Sequence, residues 1–307
     1  MRFDLITILG PTATGKTRLA AQLANKFNGE IISADSRQVY KFMDIGTGKD
    51  LNDYKLENKS IPFYLIDIAE PFDEYNLYQF KIDFSDAYKR INENKKIPFL
   101  VGGTGLYLSS IIQNYNLKES VQSRVRKNEL EMHPERELRK LLVKLNPGQH
   151  NTTDLLNKDR IIKAILIAES SENKFYEPKD QLFSLNIGIK YSRGEIKKRI
   201  TERLKKRLDE GMIEEVKNLL AMGVSNEKLK FFGLEYKYIA LFLSGELNYN
   251  EMFQKLNIAI HKFAKRQMTW FRKMEREGVK INWFEGGDYN NILKLIEKQF
   301  KNVTNFA

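Results

Sequence analysis

The chemistry that this sequence could perform is first visible in an eight-residue loop near its start. Residues 10–17 read GPTATGKT, which fits the pattern G-x-x-x-x-G-K-[ST]. In such a loop, backbone N–H groups and the N-terminus of the following helix surround the oxygens of a di- or triphosphate. The pattern predicts that Lys16 neutralises phosphate charge and that Thr17 places its hydroxyl on a phosphate-bound Mg²⁺. The residues predicted to bind the phosphates are Gly10, Pro11, Thr12, Ala13, Thr14, Gly15, Lys16 and Thr17.

Polar and glycine-rich motifs follow two further apolar runs. Residues 35–38 (DSRQ) come directly after the second run, and residues 102–105 (GGTG) come after a later one. Because ligands of open parallel sheets bind beyond the carboxyl ends of the strands, we expect Asp35 and Thr104 to lie beside the phosphates. A phosphate group would repel this carboxylate unless Mg²⁺ or a proton-donating substrate separates them. The alternatives are a helix cap formed by Asp35 or Ser36 and an ordinary tight turn at the glycines.

Apolar runs and helical periodicity predict the elements that position these motifs. An amphipathic helix is predicted over residues 16–27, directly after the phosphate loop. Strands that alternate with helices favour an α/β fold, here a P-loop NTPase-like parallel sheet flanked by helices. The predicted strands are residues 5–9, 30–34, 63–68, 97–101 and 182–189.

A charged, helix-prone stretch interrupts this pattern between residues 118 and 180. Its periodicity predicts helices over residues 121–145 and 159–169. We interpret residues 118–180 as a helical insertion domain. The core domain would then consist of residues 1–117 and 181–307.

Two strongly basic helices are predicted within the largely helical residues 193–276. Residues 196–208 carry seven Lys or Arg against the single acid Glu202, and residues 260–273 carry five with no acid. A solvated basic face would explain one such helix. Two of them, interleaved with aromatic residues, favour contact with nucleic acid. The predicted buried face of the first helix consists of Ile196, Ile200, Leu204 and Leu208.

Composition narrows the classes of protein that the chain could represent. The 51 Lys and Arg against 40 Asp and Glu give a formal charge of +11, which either favours a polyanionic partner, nucleic acid or an anionic membrane surface, or simply serves solubility. The absence of cysteine excludes disulfides, thiolate zinc sites and cysteine nucleophiles. With no apolar run near the ~20 residues that span a bilayer and no leader-like N-terminus, we expect no membrane association and a cytoplasmic location.

Four motifs, in this order along the chain, resemble those of the tRNA dimethylallyltransferase family. They are GPTATGKT at residues 10–17, DSRQVY with MDIGTGK at 35–49, LVGGTGLYL at 100–108 and AKRQMTWFR at 264–272. The resemblance covers nearly the whole chain. It implies transfer of a dimethylallyl group from dimethylallyl diphosphate to N6 of the adenosine immediately 3′ of the anticodon in tRNA. It also implies Mg²⁺ as cofactor and an inserted helical domain that binds the anticodon stem-loop, and we expect a monomer.

The resemblance also implies roles for individual residues. Asp35 corresponds to the general base that takes the proton from adenine N6, and Thr104 assists at the same centre. Lys16 and the rest of the phosphate loop hold the pyrophosphate, which Arg199 and Arg203 approach. The residues placed at the tRNA are Asp35, Ser36, Arg37, Gln38, Arg126, Arg160, Lys163, Gly233, Lys265, Arg266 and Gln267.

The chain departs from the usual family pattern at several positions. Phe63-Tyr64 stands where the family has His, and Lys163 replaces a second Arg in the insertion. Ile260-His261 replaces Thr-Arg, and Glu235 stands where Lys or Arg is usual. These positions concern presumed tRNA contacts more than the diphosphate site. We therefore interpret the chain as a divergent member of the family, or as one with an altered choice of tRNA.

Three other functions fit part of the sequence. A prenyltransferase of free adenine nucleotides would need neither the insertion nor two basic helices. A P-loop kinase or ATPase could use residues 63–67 as an acidic strand end for Mg²⁺, but it does not explain the family motifs. A non-enzymatic RNA-binding protein would not need the intact set Lys16, Thr17, Asp35 and Thr104.

Overall fold

Strands and helices alternate along much of the chain in the computed structural model, which describes residues 3–56, 59–115, 117–118, 124–145, 158–169, 175–176 and 181–304. The strands are β1 (Leu5–Leu9), β2 (Gly29–Ala34), β3 (Lys55–Leu56), β4 (Lys59–Ser60), β5 (Phe63–Tyr64), β6 (Ile97–Gly102), β7 (Leu117–Lys118), β8 (Phe175–Tyr176), β9 (Ser184–Lys190) and β10 (Ile281–Glu285). The helices are α1 (Lys16–Lys26), α2 (Leu77–Glu93), α3 (Gly105–Ile112), α4 (Arg124–Met132), α5 (Glu135–Leu145), α6 (Lys158–Glu169), α7 (Arg193–Asp209), α8 (Met212–Ala221), α9 (Asn226–Phe232), α10 (Leu234–Leu243), α11 (Tyr249–Arg276) and α12 (Tyr289–Thr304), with a 3₁₀ helix at Leu51–Tyr54.

A six-stranded parallel sheet in the order β10-β9-β1-β6-β2-β5 forms the centre of the fold. The predicted parallel α/β sheet is therefore confirmed. Because β6 lies between β1 and β2, the carboxyl ends of these three strands are adjacent. Ala34 pairs with Gly102 at that edge. A Cβ on Gly102 would lie 2.2 Å from the Ala34 carbonyl oxygen, so this close approach requires glycine.

Helices cover both faces of the sheet. All five residues of β1 are buried, as expected for a central parallel strand. Ile6 and Ile8 pack in a cluster with α1 and α12, whereas Leu5 and Leu9 pack in a cluster with α2, α3 and α11. A further apolar cluster holds α7–α11 against the chain that follows β2, around Val39.

The chain divides into two compact units. One consists of Met1–Asn114 and Asp180–Ala307, and the other of Tyr115–Lys179. The second unit contains α4, α5 and α6, which bury an apolar core of their own: Leu130, Leu138, Leu142, Ile161, Ile162, Ile165 and Leu166. Among the described residues, no helix combines the length and the apolar character that crossing a bilayer requires.

Several predicted elements differ from those observed. The strand predicted over residues 63–68 ends at Tyr64, because Leu65 and Asp67 have left-handed backbone φ values of 64° and 56°. The single helix predicted over residues 121–145 is two helices separated at Pro134, which cannot donate a helical hydrogen bond. Residues 121–123 lie outside the described residues. Strand β10 and helix α12 were not predicted.

Candidate active site

The phosphate loop connects the buried strand β1 to helix α1, as its sequence predicts. Gly15 precedes α1 in a left-handed conformation with φ of 75°, so the first turn of the helix opens towards the loop. Inside the loop, Thr14 Oγ1 and Lys16 Nζ both donate hydrogen bonds to the Pro11 carbonyl, at 2.9 and 2.7 Å. The loop is thus curled around its own lysine.

Helix α7 presents two arginines to this loop. Arg199 and Arg203 are four residues apart and therefore lie on one face of the helix. Arg199 Nε donates to the Ala13 carbonyl at 2.9 Å, and Arg203 Nη2 donates to Thr12 Oγ1. The structure thus places both predicted arginines against the phosphate loop. The stripe predicted to be buried on the same helix is confirmed, since Ile200, Leu204 and Leu208 pack in the core and Ile196 is partly buried against it.

Burial and neighbouring cations lower the pKa values of two basic groups at the loop. Burial and the nearby charge of Arg203 lower the pKa of Lys16 to about 7, although Asp35 opposes the shift. Burial and the charge of Arg207 lower the pKa of Arg203 to about 9, with Glu235 and Asp50 opposing. Such an excess of positive charge is relieved by an anion, so the electrostatics of the loop favour a diphosphate ligand.

Asp35 and Thr104 meet at the ends of β2 and β6. Asp35 Oδ1 accepts a hydrogen bond from the Arg37 backbone N–H at 2.9 Å, and no described residue donates to Oδ2. Thr104 Oγ1 accepts from the Ser36 N–H at 3.1 Å, which ties the two loops together. Residues 36–50 form turns rather than a helix, so the alternative that Asp35 or Ser36 caps a helix is wrong. The arrangement leaves one carboxylate oxygen available as a proton acceptor.

Arg37 and Gln38 are both held by neighbouring groups. The Arg37 guanidinium lies 5.1 Å from the centroid of the Phe231 ring, and burial lowers its pKa. Gln38 Nε2 donates to the Gly48 carbonyl at 3.0 Å, while Gln38 Oε1 accepts from Ser33 Oγ at 3.3 Å. Both residues belong to the predicted segment 35–38, which begins at Asp35.

Gln267 occupies a position that the sequence did not suggest. Its side chain is buried, although it lies within a basic motif expected at the tRNA. Gln267 Oε1 accepts the Thr12 backbone N–H at 2.9 Å, and Nε2 donates to the Gly103 carbonyl at 2.8 Å. One amide thus bridges the phosphate loop and the loop after β6. The sequence contained one signal for this buried position, the spacing of Gln267 from its apolar neighbours. Gln267 lies three residues after Ala264 and four before Phe271, so all three share the buried face of α11.

The remaining residues expected at the tRNA lie on several elements. Lys265 and Arg266 are exposed on α11, and Gly233 separates α9 from α10. Arg126, Arg160 and Lys163 belong to the second unit. Arg126 forms a paired ion bridge with Glu169, at 2.8 and 2.6 Å, and also contacts Glu129, whereas Arg160 and Lys163 are exposed on α6.

Several departures from the family pattern are accommodated inside the fold. Ile260 is buried, and the His261 ring forms a 3.3 Å hydrogen bond with the Lys197 carbonyl of α7. Tyr64 donates its hydroxyl proton to Glu30 at 2.6 Å. Glu235 is different, because it lies among the arginines of the site: burial raises its pKa, and the charges of Arg207 and Arg203 oppose the rise.

These features define a P-loop enzyme with a carboxylate beside its phosphate cradle. The family model described as IPP transferase matches residues 38–274, and one described as Isopentenyl transferase matches residues 3–68. The chain belongs to the tRNA dimethylallyltransferase family and is a prenyltransferase. This assignment favours prenyl transfer over the kinase and non-enzymatic alternatives.

Individual relatives match the chain over nearly its whole length. It is 51% identical over 299 residues to "tRNA dimethylallyltransferase 2" of Citrifermentans bemidjiense, covering 97% of this chain and 96% of the relative. It is 48% identical over 286 residues to "tRNA dimethylallyltransferase 1" of Geotalea uraniireducens, covering 93% and 94%. The crystal structure of the tRNA isopentenylpyrophosphate transferase of Bacillus halodurans superimposes with a TM-score of 0.71 at 29% identity, covering 99% of each chain.

Replacing the bridging amide should weaken diphosphate binding. In Gln267→Glu the side chain keeps its shape, but it loses the donor to Gly103 and brings a negative charge to the phosphate loop. We expect the dissociation constant of inorganic diphosphate, measured by calorimetry, to rise about tenfold or more, in line with ~1–3 kcal/mol for an unsatisfied buried group. The control Gln254→Glu, on the exposed face of the same helix, should bind as the parent does. Equal affinities for both variants would contradict the bridging role.

The lowered pKa of Lys16 predicts a pH dependence of binding. Above pH 7 the ammonium form is increasingly lost from the free protein, whereas bound diphosphate favours it and raises the pKa. Binding therefore takes up a proton, and affinity for inorganic diphosphate should fall by up to about tenfold per pH unit above 7. In Lys16→Arg the side chain stays charged, so its affinity should fall less steeply for the same ligand. Parallel slopes between pH 7 and 9 would contradict the assignment.

Proposed function

We propose that this chain transfers the dimethylallyl group of dimethylallyl diphosphate to N6 of the adenosine immediately 3′ of the anticodon in tRNA. The observation that carries the proposal is the position of Asp35. Its carboxylate follows β2, which only β6 separates from the strand that leads into the phosphate loop, and its Oδ2 accepts no hydrogen bond from a described residue. Relatives at up to 51% identity bear the name tRNA dimethylallyltransferase, which supports both the donor and the acceptor.

The geometry suits attack by a weak nitrogen nucleophile. The N6 lone pair is delocalised into adenine, so N6 must lose a proton as it attacks. In the proposed step the N6–C1 bond forms, the C1–O bond breaks and its electron pair leaves on diphosphate, while the N6 proton passes to Asp35. Thr104, bonded to the Ser36 N–H, holds the two strand ends at this centre. Repulsion between Asp35 and the diphosphate is avoided because the acceptor amine and the allylic carbon separate them.

The phosphate loop would stabilise the leaving group. Lys16 and Arg203 place positive charge where negative charge develops on the diphosphate oxygens. Mg²⁺ fits this site through Thr17, whose hydroxyl is the kind of hard oxygen donor that Mg²⁺ takes together with phosphate oxygens and water. When bound, the ion supplies further charge neutralisation to the departing diphosphate.

Basic surfaces would hold the RNA. A base in a helical loop must leave its stack to enter the pocket, at a cost of a few kcal/mol. Phosphate contacts from Lys265 and Arg266 on α11, and from Arg160 and Lys163 on α6, can offset that cost. We propose that Arg37, Gln38 and Gly233 contact the extruded nucleoside. One RNA and one pocket require one chain, so we also propose a monomer that acts in the cytoplasm.

The proposal predicts base-dependent prenylation of RNA. With Mg²⁺ and dimethylallyl diphosphate, the protein should prenylate an adenosine in an unmodified anticodon stem-loop, detected by mass spectrometry of nucleosides. Asp35→Asn should reduce the rate by about 10²–10⁴-fold, since it removes the proton acceptor, whereas the exposed control Asp86→Asn should retain activity.

The acceptor distinguishes the remaining alternative. AMP in place of RNA should give no product. Product on AMP but none on RNA would contradict the proposal and identify a prenyltransferase of free nucleotides.

A further inference from the structure

A carboxylate from helix α8 closes the turn at residues 44–48, which we name the 44–48 turn. Glu215 Oε2 accepts the backbone N–H groups of Asp44 and Ile45, at 2.7 and 2.6 Å. Glu215 Oε1 accepts the N–H of Gly46 at 2.9 Å and the Tyr236 hydroxyl at 2.8 Å. Four donors thus converge on one carboxylate from two segments distant in sequence, an arrangement in which charge strengthens each hydrogen bond.

Two neighbouring residues, Tyr236 and Lys49, stabilise the hydrogen bonds around Glu215 and the 44–48 turn. Burial and the adjacent Glu215 raise the pKa of Tyr236, so its hydroxyl stays protonated and donates. The far end of the turn is held by Lys49, whose buried Nζ donates to the Tyr40 carbonyl at 2.6 Å and to Asp44 Oδ1 at 2.8 Å. The 44–48 turn is therefore anchored at both ends.

The 44–48 turn in turn holds a residue of the candidate active site. The carbonyl of Gly48 accepts a hydrogen bond from Gln38 Nε2 at 3.0 Å. Gly48 has a left-handed φ of 72°, and a Cβ there would lie 1.9 Å from Arg207 Nη2 of α7. Because the turn packs this tightly against a buried guanidinium, the Gly48 carbonyl has little room to move, and the orientation of the Gln38 amide depends on it.

An oriented amide next to Asp35 can recognise adenine. Gln38 gives one N–H to Gly48 and accepts from Ser33, which leaves a second N–H and a carbonyl lone pair directed by those two bonds. A glutamine amide matches the donor and acceptor pair at adenine N6 and N7. A change in the 44–48 turn would rotate this amide without touching the phosphate loop.

We infer that Glu215 is a positioning residue for the acceptor nucleoside, which it serves by fixing the 44–48 turn and through it the Gln38 amide. The inference rests on the proposed function, because it assumes that adenosine enters beside Asp35. Helix α8 would thus affect the reaction with RNA without affecting the binding of the prenyl donor.

The test compares two isosteric substitutions on adjacent residues of one helix. Glu215→Gln places an NH₂ group against backbone N–H donors and removes the charge. Glu214→Gln makes the same chemical change at an exposed residue that pairs with Lys217 at 3.0 Å. We expect Glu215→Gln to lower kcat/KM for an anticodon stem-loop about tenfold or more, as small misplacements do. The KM for dimethylallyl diphosphate should stay within twofold of the parent value.

A double-mutant cycle with Gln38→Ala separates positioning from general destabilisation. If Glu215 acts through Gln38, Glu215→Gln should cost little further activity in the Gln38→Ala background. Full additivity, a parallel rise in KM for both substrates, or equal behaviour of Glu215→Gln and Glu214→Gln would each overturn the inference. Failure of the parent protein to prenylate RNA would instead overturn the proposed function. If Glu215→Gln does not fold, Tyr236→Phe, which removes one of the four donors, replaces it with the same readouts and a smaller expected loss, of about threefold.

Discussion

The separation between the phosphate cradle and the carboxylate depends on the buried amide of Gln267. Its oxygen holds the phosphate loop at Thr12, and its nitrogen holds the loop after β6 at Gly103. Thr104 follows at once and bonds to Ser36, next to Asp35. A chain of short-range contacts thus runs from the loop proposed to hold the leaving group to the carboxylate proposed to remove the proton. Reactions that need two partners within about 3–3.5 Å depend on such fixed distances.

The charged side chains around this framework are cations at the phosphate loop and acids that oppose the lowered pKa values of those cations. Burial and a neighbouring cation lower the pKa of both Lys16 and Arg203, the neighbour being Arg203 for Lys16 and Arg207 for Arg203. The free protein therefore carries an electrostatic strain that binding of an anion would relieve. The charges of acidic groups, among them Asp35 and Glu235, oppose the lowered pKa of Arg203. The departure from the family pattern at Glu235 thus falls within the electrostatics of the site rather than on the outer surface.

Local sequence patterns predicted the strands and loops whose structure depends mainly on residues that are neighbours in the chain. Apolar runs that end in glycine or polar residues predicted strand β1, the phosphate loop and the motifs after β2 and β6. The run at residues 63–68 gave a wrong strand prediction, because it is largely apolar although the backbone at Leu65 and Asp67 is left-handed. Strand β10 escaped prediction since a five-residue strand at the sheet edge, only partly buried, has a weak pattern.

Long-range contacts were the part that the sequence could not supply. Gln267 stands among cations, and only its three- and four-residue spacing from Ala264 and Phe271 hints that it turns inward. The role of Glu215 depends on an approach between residues about 170 positions apart, which no local pattern encodes. Motif resemblance therefore located the candidate site, but the hydrogen bonds that hold its parts together required the structure.

A crystal structure with an anticodon stem-loop and an unreactive dimethylallyl thiodiphosphate would show whether Asp35 faces the reacting nitrogen. We expect the diphosphate on residues 10–17 and the extruded adenosine with N6 about 2.6–3.2 Å from an Asp35 carboxylate oxygen. The allylic carbon should lie between N6 and the phosphates. An adenosine whose N6 faces another side chain, beyond hydrogen-bond reach of Asp35, would contradict the assignment of the base.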